Sequence, residues 1–386
     1  MDSVKIEVNG VVVGELVREK DELIFTYERQ RVEDFVSLSM QVRRKPFVHK
    51  RLHPIFEMHL PEGYLLSVVK KHFAKLTRLD DFGLLSIMAP SIKGRLSYQT
   101  KQNSKTSPLA LDDLLYPKNE NLFEELVHRF ALSSALSGVQ PKVLVSTTNK
   151  ATLKIDDYIV KSWGEDYKEL ALNEYYCMRV VKNANIKVAE FFVSSDERLF
   201  IMKRFDRASE NYIGFEDMCV LQGKQRDDKY ESSCEQVVKT IKSLVSSAHK
   251  KASLLDFFKM MFVNYQVQNG DAHLKNFGLI YSGVDDIRLA PAYDVVSTTA
   301  YIASDIPALL MLGSKKWWSP KYLARFGIEV CELTQKEVTH AIEECEQSLL
   351  GVREEISVRM QTERNEDKLE ILGKLSETFG RDSLEQ

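Results

Sequence analysis

The stretch SLLDFFKMMFVNYQVQ, Ser253 to Gln268, constrains this 386-residue chain more than any other segment. Leu254, Leu255, Phe257, Phe258, Met261 and Phe262 spread apolar side chains around most of a helix. A surface helix shows a stripe, whereas a helix this apolar has to be enclosed on most sides. The segment therefore predicts a helical body built around a central buried helix. It is read as opening at Ser253, with Asp256 three residues later. It runs directly into NGDAHLKNFG, Asn269 to Gly278, which sets an Asp, a His, a Lys and an Asn within six positions. Gly270 is read as letting the chain turn sharply there.

FGLIYS and IRLAPAYD follow as short strand-like runs joined by GVDD, and Asp294 ends the second run. The layout is helix, polar loop, hairpin, Asp. It suits phosphoryl transfer, in which a catalytic-loop Asp stands five residues before a metal-binding Asn. Asp271 and Asn276 have that spacing, and Asp294 stands where a second metal ligand would fall. The reaction needs hard oxygen ligands for Mg²⁺ and a carboxylate to orient the incoming hydroxyl and take its proton. Lys275 would steady the transferring phosphoryl group. The alternative is a polar turn that caps a helix. His273 has no second His or Cys at ligand spacing, which argues against zinc.

Upstream, Val4, Ile6 and Val8 alternate, Asn9-Gly10 turns the chain, and Val11 and Val13 resume the alternation, as in a β-hairpin. ELIFTYE continues as strand, and LPEGYLLSVVKKHFAKL reads as helix. Residues 1–100 thus form a small α+β domain, and the polar segment Thr100–Pro108 is a linker or mobile loop. Residues 108–210 alternate strands (KVLVST, YIVKSW) with the helix LALNEYYCMRVVKNA, then the hairpin FFVSSDERLFIMKRF turning at Ser195-Asp196. Residues 211–386 are mainly helical. SSCEQVVKTIKSLV is read as capped by Ser232 with Glu235, and LTQKEVTHAIEECEQSLL is another capped helix. SSALSGVQPK, Ser133 to Lys142, is a small-residue loop whose amides would face a phosphate. Lys161 follows on a strand and Glu174 on a helix, the order a kinase small lobe requires. The triplet Asp81-Phe82-Gly83 spells a kinase metal motif but lies in the N-terminal domain, and it is read there as a turn.

A net charge of −3 does not mark a nucleic-acid binder. The basic run Arg43–His53 reads as a solvated face before a nucleic-acid or acidic-partner contact. Trp317-Trp318 is core or partner surface. No apolar run is long enough to span a membrane, and the N-terminus lacks a signal-peptide pattern. The five cysteines (Cys177, Cys219, Cys234, Cys331, Cys345) are scattered without CxxC, as in a reduced, cytoplasmic protein.

In this order the motifs SGVQPK, YIVKSW, NEYYCMRVVKNANIKVAE, IMKRFDR, FEDMC, NGDAHLKNF and AYDVVS resemble those of HipA-type serine/threonine kinases, toxins of bacterial toxin–antitoxin systems. The resemblance covers nearly the whole chain. It implies an α+β, two-lobed kinase-like fold, related to phosphatidylinositol kinases and protein kinases, with a small N-terminal α+β subdomain and a mainly helical C-terminal lobe. It implies ATP and Mg²⁺ as cofactors and protein serine phosphorylation, with Asp271 as base and Asn276 and Asp294 on magnesium. By the same resemblance Lys161 contacts ATP phosphate, and the loop holding Ser137, Gly138, Val139, Gln140 and Lys142 covers it. Met202–Phe205, with Lys203 and Phe205, lines the adenine pocket. His273, Lys275 and Tyr293 complete the nucleotide-contacting set. The implied partners are a helix-turn-helix antitoxin of HipB type, through which DNA is reached indirectly, and a protein substrate such as an aminoacyl-tRNA synthetase.

One departure stands out. Where the family often carries an autophosphorylated serine, this chain has Ala135, flanked by Ser134 and Ser137. Either Ser137 takes the inhibitory phosphate, or the switch is absent, or Ala135 replaces a serine. A silent kinase-like repressor acting with a helix-turn-helix partner is the alternative function. A small-molecule or lipid kinase is a third class.

Overall fold

Asn9 and Gly10 both take positive φ, 49° and 75°, and this pair turns the first hairpin. Such a pair matches the right-handed twist of two antiparallel strands. In the computed structural model, residues 2–60, 62, 66, 80–89, 92–99, 109–119, 122, 142–148, 155–162, 167–208 and 211–381 are described. For Leu109, 142–148 and 155–157 only the backbone is. The expected helix after Leu60, the linker Thr100–Pro108 and the loop with Ser134, Ala135, Ser137, Gly138, Val139 and Gln140 lie outside the described residues, as does the side chain of Lys142.

The chain forms two compact units. The first holds Met1–Ser162, Ser194–Asp228 and Ile280–Val284. Its leading sheet joins β1 (Asp2–Val8), β2 (Val11–Glu19), β3 (Glu22–Tyr27), β4 (Phe47–His49) and β5 (Leu96–Gln99) in the order β4-β3-β2-β1-β5. Ile6, Val13, Phe25, Phe56, Leu85 and Met88 fill its core, with Val220 added from far along the chain. Arg43 to Arg51 is exposed save Phe47, and the Arg43 guanidinium covers the Phe47 ring. Asp81-Phe82-Gly83 opens the helix Asp81–Met88 rather than forming a turn. The Asp80 carboxylate accepts from Gly83 N–H at 2.8 Å, and Asp81 pairs with Arg226 at 2.8 Å.

A second sheet in this unit runs β6 (Leu109–Ala110), β7 (Lys142–Thr148), β8 (Ile155–Lys161) and the strand Phe200–Lys203. Lys161, at the end of β8, is in register with Lys142 on one side and Phe200 on the other. The turn before Phe200–Lys203 is closed by Ser194, whose hydroxyl accepts from Leu199 N–H at 3.0 Å. Within the same unit, buried Glu216 accepts from Ser37 Oγ (2.6 Å), Leu38 N–H (2.8 Å) and Tyr281 O–H (2.6 Å).

The second unit holds Trp163–Val193, Lys229–Leu279 and Asp285–Gln386. At its centre is the helix Ser247–Gln266, which buries Leu254, Phe257, Phe258, Met261, Phe262 and Val263. The helix starts six residues before Ser253. Ser246 ends the preceding segment, and its hydroxyl accepts from Ile287 N–H at 2.9 Å. Ser253 is spent inside the helix, accepting from Leu289 N–H at 3.1 Å. The helices Leu170–Asn183, Cys234–Leu244, Pro320–Glu329 and Gln335–Met360 pack on it. Lys259, buried among them, donates to Ala184 O at 2.7 Å and pairs with Glu344 at 2.6 Å. The cap of Cys234–Leu244 is Ser233, one residue later than the sequence suggests. Glu235 is not free for a capping box, since it accepts from Leu312 N–H at 2.7 Å. The helix Gln335–Met360 does open on one, made by Thr334 and Glu337. All five cysteines are buried and unbridged. Among the described residues no helix is long and apolar enough to cross a membrane.

Candidate active site

The polar loop follows the central helix within the second unit. Gln268 takes φ 55° and makes the reversal that the sequence assigns to Gly270. Gly270 is needed for space. A Cβ there would lie 2.1 Å from Oδ2 of Asp305. Gly270 N–H donates to Thr298 Oγ1 at 2.7 Å, and Thr298 in turn donates to Asp305 Oδ2. Buried Asn269 secures the next residue. Its Nδ2 donates to Asn264 Oδ1 at 2.7 Å, and its Oδ1 accepts from Asp271 N–H at 3.1 Å.

The backbone under Asp271 is thus pinned from both sides, while its side chain stays 44% exposed. Tyr230 O–H donates to Asp271 Oδ1 at 2.7 Å, and the buried His273 ring has Nε2 4.0 Å from the same oxygen. A carboxylate so placed is reachable by a hydroxyl from solvent and held in one orientation.

Leu274–Asn276 forms a single 3₁₀ turn. Asn276 Oδ1 accepts from His273 N–H at 3.0 Å, and Nδ2 donates to Asp294 Oδ2 at 2.8 Å. The sequence-predicted metal pair therefore meets side chain to side chain. Asp294 takes φ 61°, a left-handed conformation that Asp tolerates better than most residues. An amide oxygen and a carboxylate are hard donors of the kind Mg²⁺ takes. No group of three or more His, Cys, Asp or Glu able to hold a metal occurs among the described residues. Two protein oxygens suit an ion that keeps several waters and phosphate oxygens in its shell.

Tyr293 O–H donates to Lys275 O at 2.8 Å and ties the loop to the segment carrying Asp294. That segment is fixed in turn by Asn173 on the helix Leu170–Asn183, which bonds the backbone of Ser297 twice. Asp271, His273, Lys275, Asn276, Tyr293 and Asp294 all belong to this unit. Glu174, 1% exposed, also lies here. Lys161, Lys203 and Phe205 belong to the first unit. There Lys161 is 6% exposed, with Nζ 5.7 Å from the Phe200 ring centre, and Phe205 meets Phe215 edge to face.

Sequence reasoning missed Asn173, Tyr230, Asn269, Thr298 and Asp305 as parts of the site. Asn269, which begins the polar stretch, and Asn173, which begins the motif NEYYCMRVVKNANIKVAE, had a local signal.

A family model described as the HipA-like C-terminal domain matches residues 134–352, and one described as the HipA N-terminal domain matches residues 4–99. The chain belongs to the HipA family. Two Sinorhizobium fredii proteins named as kinases, Y4dM and Y4mE, are 26% and 25% identical to it. The matches cover 68% and 76% of this chain, but only 66% of Y4dM and 76% of Y4mE. HipA of Shewanella oneidensis MR-1, solved with HipB and operator DNA, superposes with a TM-score of 0.70 at 17% identity. That likeness spans 97% of this chain and 95% of the other, so the mixed α+β fold is the HipA fold.

Proposed function

We propose that this chain is an ATP- and Mg²⁺-dependent protein serine kinase acting as the toxin of a toxin–antitoxin pair. The observation that carries the reading is the solvent-reached Asp271 carboxylate on a pinned loop, with Asn276 and Asp294 in contact at 2.8 Å beyond it. Membership of the HipA family and the kinase names of its relatives support it. In this reading Asp271 orients the substrate serine and accepts its hydroxyl proton. Asn276 and Asp294 offer oxygens to the metal, whose charge would favour the phosphate oxygens. Lys275 offers a cation to the transferring group, and Lys161, with Lys142 and the loop around Ser137–Gln140, belongs to phosphate binding. Lys203 and Phe205 belong to the adenine pocket, and His273 and Tyr293 to the nucleotide-contacting set.

The substrate class is a cytoplasmic translation factor such as an aminoacyl-tRNA synthetase. The antitoxin is a helix-turn-helix protein of HipB type, as the HipB–operator complex of the Shewanella oneidensis protein suggests. The N-terminal subdomain, small lobe and helical lobe are assigned to residues 1–100, 108–210 and 211–386.

Incubation with γ-labelled ATP and Mg²⁺ tests the reaction. The wild-type chain should transfer label to protein, and Asp271→Ala should transfer none while melting at an unchanged temperature. Equal transfer by the two would refute the assignment.

A further inference from the structure

Tyr230 lies forty-one residues before Asp271 in sequence, and no motif in the chain draws attention to it. Its phenol nevertheless donates to Asp271 Oδ1 at 2.7 Å. The same ring meets His273 edge to face, with centroids 5.2 Å apart. The backbone around Tyr230 is tied on two sides within the second unit. Lys229 O accepts from Leu274 N–H at 3.1 Å, which fastens it to the polar loop. Tyr230 O accepts from Lys315 Nζ at 3.3 Å. Two residues on, Ser232 O accepts from Leu310 N–H at 3.2 Å, and Cys234 N–H donates to Leu310 O at 2.8 Å. The phenol is therefore carried on a segment braced against both the loop and the stretch Leu310–Lys315.

A base contributes to proton transfer only when its oxygen is presented in line with the hydroxyl it serves. The Asp271 backbone is pinned, but a half-exposed carboxylate on it still rotates about its own bonds unless a partner stops it. We infer that Tyr230 is the positioning residue for Asp271: its hydroxyl fixes the rotation of the carboxylate that receives the substrate proton. This rests on the assignment of Asp271 as the base. Tyr230 takes no proton from substrate and acts only through the carboxylate of Asp271.

Tyr230→Phe removes one oxygen and leaves the ring against His273. Steady-state transfer from γ-labelled ATP is measured with casein as acceptor, beside the label the chain places on itself. The variant's kcat should fall on the order of tenfold, the cost of one lost orienting hydrogen bond. Its KM for ATP should stay within about twofold, because phosphate and metal contacts are untouched. Its melting temperature should match the wild type. An unchanged kcat overturns the inference. A parallel loss of kcat, ATP affinity and melting temperature also overturns it, since Tyr230 would then be a structural contact. If Asp271→Ala transfers label as well as the wild type, the base assignment itself has failed. Transfer by the wild type but not by Asp271→Ala upholds that assignment whatever Tyr230→Phe shows.

Discussion

Asn173 holds the backbone of Ser297 at both of its polar atoms. Its Nδ2 donates to Ser297 O at 2.9 Å, and its Oδ1 accepts from Ser297 N–H at 2.8 Å. Both residues are fully buried, so water cannot replace either bond. Asn173→Ala should destabilise the chain by about 2–4 kcal/mol, since two buried backbone groups are orphaned. Urea unfolding measures this. Asn173→Asp should be no better, because it sets a carboxylate against a carbonyl oxygen. A stability within 0.5 kcal/mol or so of wild type, the range usual for surface substitutions, would show that the grip is dispensable.

Gly270 gives a steric prediction. Gly270→Ala drives a Cβ into the Asp305 carboxylate, and Asp305 is also the acceptor for Thr298. The variant should lose about 1–3 kcal/mol of stability, as overpacking does, and most of its phosphoryl transfer. Pairing it with Asp305→Ala reopens the space. The double variant should be more stable than the sum of the two single losses predicts, a coupling that a double-mutant cycle reads directly.

Asp294 combines a left-handed backbone with a carboxylate. Asparagine also tolerates that backbone, so Asp294→Asn separates conformation from charge. The fold should be retained by circular dichroism, whereas Mg²⁺-dependent transfer should fall at least about a hundredfold for loss of a ligand charge. Transfer that is undiminished at every Mg²⁺ concentration would remove Asp294 from the metal site.

Glu216 predicts a pH dependence. Burial raises its pKa above the ordinary 4.5, although bonds from Ser37, Tyr281 and Leu38 and the charge of Arg95 oppose the rise. The folded chain therefore holds this proton more tightly than the unfolded chain does. The group's contribution is full below pH 4.5 and declines as pH rises through and above that value. Glu216→Gln should flatten that decline. Urea midpoints from pH 4 to 8 should converge between variant and wild type at the acid end and separate in favour of the variant towards neutrality. Parallel curves would show that Glu216 titrates normally.

Part of the candidate site's geometry was legible because it rests on short spacings in sequence. Asp271 and Asn276 sit on one short loop, and Asp294 meets Asn276 beyond the hairpin, so local chain geometry carries the pattern. The central helix was legible from its apolar girth, and the first hairpin from Asn-Gly. What failed to show depends on distant partners. Ser253 looks like a cap until Leu289 claims its hydroxyl, and Glu235 looks like half of a capping box until Leu312 does the same. Gly270 looks like a hinge, yet the residue that makes it necessary is Asp305, thirty-five positions on. Tyr230 and Thr298 belong to no periodicity or motif, and Asn173 heads the motif NEYYCMRVVKNANIKVAE without showing what it holds. Their roles arise only when packing brings them to the loop.

The chain passes between its two units at 162–163, 193–194, 228–229, 279–280 and 284–285. Neither unit is one uninterrupted stretch of sequence. On the ribosome the first unit cannot complete itself when residue 228 emerges, because Glu216 waits for Tyr281, sixty-five residues later. Its last buried bonds close only after the central helix and the polar loop have been made. A nascent chain halted before Ile280 would hold an ionisable side chain in an unfinished core. The order of synthesis thus keeps that unit incomplete until the residues of the other unit's polar loop have been made.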